Sequence, residues 1–211
     1  MDEPVGLRER KKARTRRAIS EAAIALFLER GYDAVSVVDV AAAAEVSKRT
    51  LFAYFPTKDD LVLHRFADHE DEPARVVRER ADGESPLAAL HRHRRDALHR
   101  RDPISGLCDV PEVLAFYRLI IQTPALAGAL FGYQRRGEQA LAAALLEAAP
   151  QAGPMAARLA AAQITVVLNL LGHTIQTRLL DGAIADDLAE QAVAEADTAF
   201  AMLGQGLSPY R

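Results

Sequence analysis

The chain has 211 residues with 26 Lys and Arg against 29 Asp and Glu, so its formal net charge is −3 and bulk charge does not indicate a nucleic-acid partner. Half of the residues are hydrophobic, and runs of strand-forming residues are nearly absent, so we expect an all-α fold. The single cysteine, Cys108, excludes an intrachain disulfide framework and a cysteine zinc cluster. The charged N-terminal segment has no apolar core, so no secretory signal is expected.

A basic run near the start of the chain leads into an amphipathic helix. Seven of the ten residues 8–17 are Lys or Arg, a charge density of the kind that contacts phosphates. The alternative is a solvated helix end or a disordered tail. We predict a first helix from about Leu7 to Arg30, ended by Gly31, with an apolar stripe at helical spacing. The stripe comprises Ile19, Ala22, Ala23, Leu26 and Phe27.

Two short helices separated by a tight turn are predicted within residues 36–58. Ser36 and Asp39, three residues apart, form a capping box, so a helix is expected to begin at Val37. Ser47 is a second N-cap, and the helix that it opens should extend from Lys48 to about Tyr54. This pattern is typical of a helix-turn-helix, in which the second helix enters the major groove of DNA.

The predicted second helix carries donors where base edges and phosphates would lie. Lys48, Arg49 and Thr50 form its first turn; Lys and Arg donate to guanine acceptors, and a Thr methyl contacts a thymine methyl. Tyr54 is expected to donate a hydrogen bond to a phosphate. Lys58 falls in the first turn of a further capped helix, beside exposed backbone amides, and is therefore a predicted phosphate contact.

Residues 14–61 resemble the DNA-binding domain of the TetR family of one-component transcriptional regulators. The resemblance rests on RTRRAISEAAIALFLERGYDAVSV and VAAAAEVSKRTLFAYFPTKDDL. One departure is Glu45, where the family often has Gly in the turn, and a positive φ is mildly costly for a residue with a side chain. The family's DNA contacts correspond to Arg14 or Thr15, Ser36, Ser47, Lys48, Arg49, Thr50, Tyr54 and Lys58.

The resemblance implies a domain division and a function. Residues 1–57 would form the helix-turn-helix DNA-binding domain, and residues 58–211 a helical domain for ligand binding and dimerisation. The protein would be a cytoplasmic homodimer that binds a palindromic double-stranded DNA operator, most simply as a repressor, and that a small-molecule effector of unknown identity releases. Enzyme activity, a cofactor, a metal and a membrane partner are not expected.

Two other functions stay open at this point. A DNA-binding regulator without an effector would have a C-terminal domain filled by its own side chains. A small helical enzyme, whose N-terminal match is incidental, would lack salt-sensitive DNA binding. No Gly-rich phosphate loop, metalloprotease helix or nucleophile elbow is visible in the sequence.

Helical patterning predicts about nine helices in the whole chain. One long helix from Lys58 to about Arg80 is expected to connect the two domains. The last two helices, about residues 154–181 and 186–203, correspond to the family's dimerisation helices. Residues 159–177 carry no formal charge and approach the length of a membrane span, but polar side chains interrupt them. A helix buried in the core or in a dimer interface is therefore favoured.

A polar line on the penultimate helix is a candidate ligand site. Thr165, Asn169, His173 and Gln176 are spaced four, four and three apart, so they share one helical face among apolar residues. Buried polar groups must find partners, so the line forms either the polar wall of a cavity or pairs within the core or across the dimer interface. Aromatic side chains are expected to line the rest of a cavity or to belong to the core: Phe116, Tyr117, Phe131 and Tyr133.

A second basic cluster lies at residues 91–95 and 99–101. It is either an anion-binding surface or, as we favour, a solvated helix face. His91 and His93 are two residues apart and point to opposite sides of a helix, so a metal site is not expected there.

Overall fold

The computed structural model describes residues 6–67 and 69–211, and in these ranges it contains α-helices and short 3₁₀ turns but no strand. The all-α prediction is confirmed, with ten α-helices in the described ranges where about nine were expected. The helices are α1 (Leu7–Arg30), α2 (Val37–Ala43), α3 (Lys48–Tyr54), α4 (Asp60–Ala67), α5 (Glu72–Arg78), α6 (Pro86–His99), α7 (Pro111–Gln122), α8 (Pro124–Ala148), α9 (Gly153–Leu180) and α10 (Ala185–Gly206).

The described residues form two compact units. The first unit contains the chain up to Arg65 together with Arg118–Leu130, and the second unit contains Phe66–Tyr117 and Phe131–Arg211. The predicted division into domains at residues 57 and 58 stays a prediction.

The core of the first unit joins α1 to the two short helices that follow it. Ile19 and Phe27 from the predicted stripe of α1 are buried, as are Leu51 of α3 and Phe55 after it. The Ser20 hydroxyl, also buried, donates a 2.8 Å hydrogen bond to the backbone oxygen of Leu61. The apolar stripe and the caps are local signals, and the packing follows from them.

The predicted continuous helix from Lys58 to Arg80 is wrong, because the chain forms two helices there. α4 begins at Asp60 and ends at Ala67, and α5 begins at Glu72. Pro73 lies in the first turn of α5. Proline has no amide hydrogen to donate and its ring clashes with the carbonyl four residues earlier, so a helix cannot pass through this position undisturbed. Pro73 is therefore a signal in the sequence for the break between α4 and α5.

The second unit has an apolar core between α5, α6, α8, α9 and α10. Leu87 and Leu90 of α6 pack in one cluster with Leu145, Ile164 and Phe200. In a second cluster, Leu98 of α6 and Leu107 after it pack with Leu171 and Ile175 of α9 and Ala196 of α10. These side chains recur at helical spacing, so one face of each helix is buried in this unit.

Close backbone approach explains one glycine in this unit. A Cβ at Gly137 of α8 would overlap the backbone oxygen of Glu70, well inside van der Waals contact. Next to it, Arg136 donates two hydrogen bonds of 2.8 and 2.9 Å to the Glu70 carboxylate. The segment before α5 is therefore held against α8 by both a contact and an ion pair.

Candidate functional site

A capping box fixes the start of α2, as predicted. The Ser36 amide donates to Asp39 Oδ2 at 2.8 Å, and the Asp39 amide donates to Ser36 Oγ at 3.2 Å. The side-chain and backbone hydrogen bonds from Ser36 hold the pKa of the Asp39 carboxyl below its usual value. Ser36 is exposed, so it combines a capping role with an accessible position ahead of the helix.

The turn between α2 and α3 passes through Glu45 with a left-handed backbone. Its φ is +53°, the conformation that the sequence comparison with glycine led us to expect. The Val46 amide donates to the backbone oxygen of Ala41 at 2.9 Å, which closes the turn. The turn is therefore built without glycine, at the expense of strain in one residue.

The first turn of α3 presents two free cationic side chains. Ser47 caps the helix by accepting from the Thr50 amide at 3.0 Å. Lys48 and Arg49 follow it, both exposed and without a salt bridge among the described residues. The Lys48 ammonium lies 5.9 Å from the centre of the Phe52 ring. Thr50 is half-buried, with its hydroxyl 2.8 Å from that of Ser47.

Buried side chains hold α3 in place. Leu51 and Phe55, four residues apart, have no exposed surface. The Arg16 guanidinium of α1 lies 5.3 Å from the centre of the Phe55 ring, so the basic end of α1 is tied to the same core. Tyr54 is half-buried beside them.

Lys58 has internal partners that the sequence did not indicate. Its ammonium donates to the backbone oxygen of Tyr32 at 2.6 Å, and it lies 4.1 Å from the centre of the Tyr32 ring. The Tyr32 hydroxyl donates to Asp59, and burial followed by this hydrogen bond raises the tyrosine pKa. Lys58 lies in the turn before α4. On either side of it, the Thr57 amide donates to the Asp60 carboxylate and the Asp60 amide donates to the Thr57 hydroxyl, which caps the helix. It remains half-exposed.

The basic run is largely accessible along α1. Arg14 is exposed, and the Thr15 hydroxyl donates to the backbone oxygen of Lys11 at 3.0 Å. Further exposed cations are Lys12, Arg16 and Arg17. The side chain of Arg8, also part of the run, lies outside the described side chains.

The predicted polar line on α9 is not a buried face. Asn169 and His173 are exposed, whereas Thr165 and Gln176 are half-buried. The expectation of burial is wrong for the first two, because α9 directs them to the same exposed side as Val166 and Leu170. Gln176 forms a hydrogen bond with the hydroxyl of Tyr117, one of the predicted aromatic residues.

The predicted aromatic residues separate into buried and exposed positions. Phe116 and Tyr117 are buried, and the Phe116 ring stacks on that of Phe66 with centres 5.9 Å apart. Phe131 is exposed, and Tyr133 is half-buried with the Arg136 guanidinium 4.3 Å from its ring centre.

Carboxylates contact four of the five side chains of the basic cluster at residues 91–95. His91 and Arg95 both contact Asp197, Arg92 contacts Glu84, and His93 contacts Glu72. Arg94 differs, because it is buried. The interpretation as a solvated face is therefore wrong for Arg94, and the other four side chains, of which only Arg92 is exposed, have carboxylate partners. Among the described residues, no three His, Cys, Asp or Glu side chains are placed to hold a metal.

One side of α9 exposes an apolar face. Met155, Leu159, Val166 and Leu170 are each more than half exposed and are spaced four, seven and four apart. The segment Pro150–Leu180 is long and apolar enough to cross a membrane, and 28% of its most apolar stretch is buried. The helices α7 and α8 together are also long and apolar enough, but they are bent by 97° where they meet. α9 is thus less buried in the single chain than the sequence led us to expect.

Comparison with known sequences finds a family match for the segment that contains α2 and α3. Residues 19–64 match the model for bacterial regulatory proteins of the tetR family. The HTH-type transcriptional regulator TcmR of Streptomyces glaucescens is 36% identical over 135 residues, which are 64% of this chain and 58% of TcmR. The chain spans 26% and 30% of the length of two further curated relatives.

Solved structures share the fold over almost the whole chain. A TetR-family regulator from Syntrophomonas wolfei has a TM-score of 0.61 at 16% identity. The matched region is 90% of this chain and 96% of the Syntrophomonas wolfei chain. FadR of Bacillus subtilis, solved with stearoyl-CoA, has a TM-score of 0.52 at 18% identity and covers 89% and 96%. Residues 19–64 are therefore similar to the tetR family of bacterial regulatory proteins, and the chain has the fold of solved regulators of that family.

Proposed function

We propose that the chain is a ligand-responsive repressor that binds a palindromic operator as a dimer and that a small molecule releases from DNA. The observation that carries the proposal is the first turn of α3, where Lys48 and Arg49 are exposed and have no salt bridge among the described residues. Exposed cations at this position of a helix-turn-helix lie where base edges are contacted.

The contacts divide into base recognition and phosphate binding. Lys48, Arg49 and Thr50 would contact base edges, and Arg49 has the planar fork that binds guanine at two atoms. Ser36, Ser47 and Tyr54 would hydrogen-bond to phosphates. Arg14 or Thr15 and the basic side of α1 would add the salt-dependent attraction to the backbone.

Lys58 keeps its proposed phosphate role in a modified form. One of its three ammonium hydrogens donates to Tyr32, which leaves two for a phosphate. Because the side chain is held by the Tyr32 ring and backbone, it would offer those donors from a fixed position.

The exposed apolar face of α9 supports dimerisation. Monomeric proteins rarely expose contiguous apolar patches of this kind, and a second copy would cover it. On α10, a surface groove lined by Ala194, Thr198 and Met202 adds to the accessible apolar area. In a two-fold dimer built on these helices, Asn169 and His173 would contact the partner subunit. Their place in an effector site is therefore the weaker alternative.

The effector would bind the second unit. FadR, which shares this fold, was solved with stearoyl-CoA, so the architecture can accommodate a ligand. Binding of the ligand and of DNA would oppose each other through reciprocal coupling, since each favours a different arrangement of the dimer.

Selection of DNA in vitro followed by anisotropy titration tests the proposal. The native protein should bind its selected sequence with an affinity that falls steeply with salt. Arg49→Ala should weaken this binding by about 1–3 kcal/mol and change the preferred sequence. Arg135→Ala, an exposed arginine of the second unit, is the matched control and should have little effect. Salt-insensitive or absent DNA binding would reject the function; binding that no small molecule opposes would favour a regulator without an effector.

A further inference from the structure

Arg94 of α6 is a buried cation with two guanidinium nitrogens that lack a hydrogen-bond partner among the described residues. Its side chain is 6% exposed, and its Nε and Nη2 make no hydrogen bond within the described part of the chain. Burial lowers its pKa to about 10, which still leaves the guanidinium charged at neutral pH. A buried charge of this kind is strongly unfavourable unless an anion pairs with it.

The anion is not supplied by the described residues. The residues that flank Arg94 in the sequence each contact a carboxylate: Arg92 contacts Glu84, His93 contacts Glu72, and His91 and Arg95 contact Asp197. Tyr117 interacts electrostatically with the Arg94 guanidinium, and no salt bridge joins Arg94 to a carboxylate within the described part of the chain. The Arg94 guanidinium is therefore a buried positive charge with no carboxylate partner among the described residues.

Polar and aromatic groups accompany Arg94 in the second unit. Tyr117 is buried, donates to the backbone oxygen of Pro103 at 2.5 Å and accepts a hydrogen bond from Gln176. Burial raises the Tyr117 pKa to about 12, so its hydroxyl stays neutral and offers no counter-charge. The adjacent Phe116, stacked on Phe66, provides an apolar surface.

We infer that Arg94 anchors the carboxylate of a small, mostly apolar effector. The inference rests on the proposed function, in which a ligand binds the second unit. A guanidinium binds a carboxylate through two parallel hydrogen bonds, and Nε with Nη2 is one of the two edges that allow this geometry. A single unmatched positive charge suits a monoanion. A phosphate dianion would leave an uncompensated negative charge.

Matched acid and amide probes test the inference by titration calorimetry. Benzoate, 2-naphthoate and octanoate are each compared with benzamide, 2-naphthamide and octanamide, which keep the shape and remove the charge. The native protein should bind at least one acid about 10- to 100-fold more tightly than its amide. Arg94→Met should abolish that preference. Arg92→Met, the same change at the exposed neighbour, should leave it intact.

Arg94→Met also has a readout that needs no probe. Removing an unpaired buried charge should leave the melting temperature unchanged or raised. If this variant fails to fold, Arg94→Lys replaces it, and loss of the planar fork should then weaken acid binding while amide binding is unchanged. The inference is overturned if no acid is preferred over its amide, or if the preference survives in the folded variant.

DNA binding separates failure of this inference from failure of the proposed function. Salt-dependent DNA binding by a protein that prefers no acid would reject only the Arg94 site. An acid preference that depends on Arg94, in a protein that binds no DNA, would support the site and reject the regulator.

Discussion

The Lys58 ammonium and the backbone oxygen of Tyr32 are 2.6 Å apart, and the tyrosine ring lies under the same ammonium. Since Tyr32 follows α1 and Lys58 precedes α4, this contact joins two turns on opposite sides of the helix-turn-helix in the sequence. Lys58 therefore has a role in stability that is separate from any contact with DNA.

Lys58→Ala should lower the free energy of unfolding by about 1–2 kcal/mol, because it removes a charged hydrogen bond and a cation–π contact. Urea unfolding followed by circular dichroism measures the change. Lys48→Ala is the control, since that exposed side chain has only a long contact with Phe52. Equal stabilities for the two variants would show that the Tyr32 contact contributes nothing.

Glu45→Gly should raise the stability by up to about 1 kcal/mol, because glycine adopts a positive φ without strain. The gain is reduced by the greater freedom of glycine in the unfolded chain. Glu45→Val should instead destabilise, since a β-branched side chain is poorly accommodated at a φ of +53°. Thermal unfolding of both variants decides the matter, and a loss of stability with glycine as large as that with valine would contradict it.

The stability of the second unit should depend on the charge of Glu72. Hydrogen bonds from His93 and His69 lower its pKa to about 2, from an ordinary value near 4.5, despite the opposing effect of burial. A lowered pKa in the folded state means that the stabilisation is complete above about pH 4.5 and is lost as the pH falls towards 2.

Glu72→Gln should therefore be less stable than the native protein at pH 5.5, and the difference should shrink as the pH is lowered to 3. Urea unfolding at several pH values measures it. Glu79→Gln, a change of an exposed carboxylate that follows the same helix, should show no such trend. A pH-independent difference for Glu72→Gln would rule out the charge as its cause.

Val166→Glu should convert the proposed dimer into a monomer, because it places a charge in the apolar face of α9. Sedimentation velocity at micromolar concentration reports the change. Val38→Glu is a matched control, since Val38 on α2 is also more than half exposed. If native protein and both variants sediment alike, α9 is not the interface.

Local signals in the sequence were sufficient for the helix-turn-helix. The Ser36 and Ser47 caps and the stripe of α1 depend on residues three or four positions apart, so sequence spacing reveals them, whereas the turn at Glu45 was expected from the resemblance to the family. Pro73 was also a local signal, and overlooking it led to one helix being predicted in place of α4 and α5.

Burial of single residues within a polar or apolar stretch was not predictable in the same way. Arg94 and Arg95 are adjacent, yet only the neighbouring helices decide that the first is buried and the second reaches Asp197. Likewise, α9 is apolar around most of its circumference, so its composition does not show that Asn169 and His173 lie on the exposed side. Lys58 made a backbone contact that no side-chain pattern encodes.

The close approach of Gly137 to the Glu70 oxygen constrains how this protein can vary. A side chain at position 137 would overlap this backbone oxygen, so α8 or the segment before α5 would have to shift next to the Arg136–Glu70 ion pair. Gly132, five residues earlier on the same helix, meets only the tip of the Arg136 side chain at 3.8 Å. In a saturation library selected for folding, we therefore expect position 137 to retain glycine almost exclusively, while position 132 accepts alanine and larger residues.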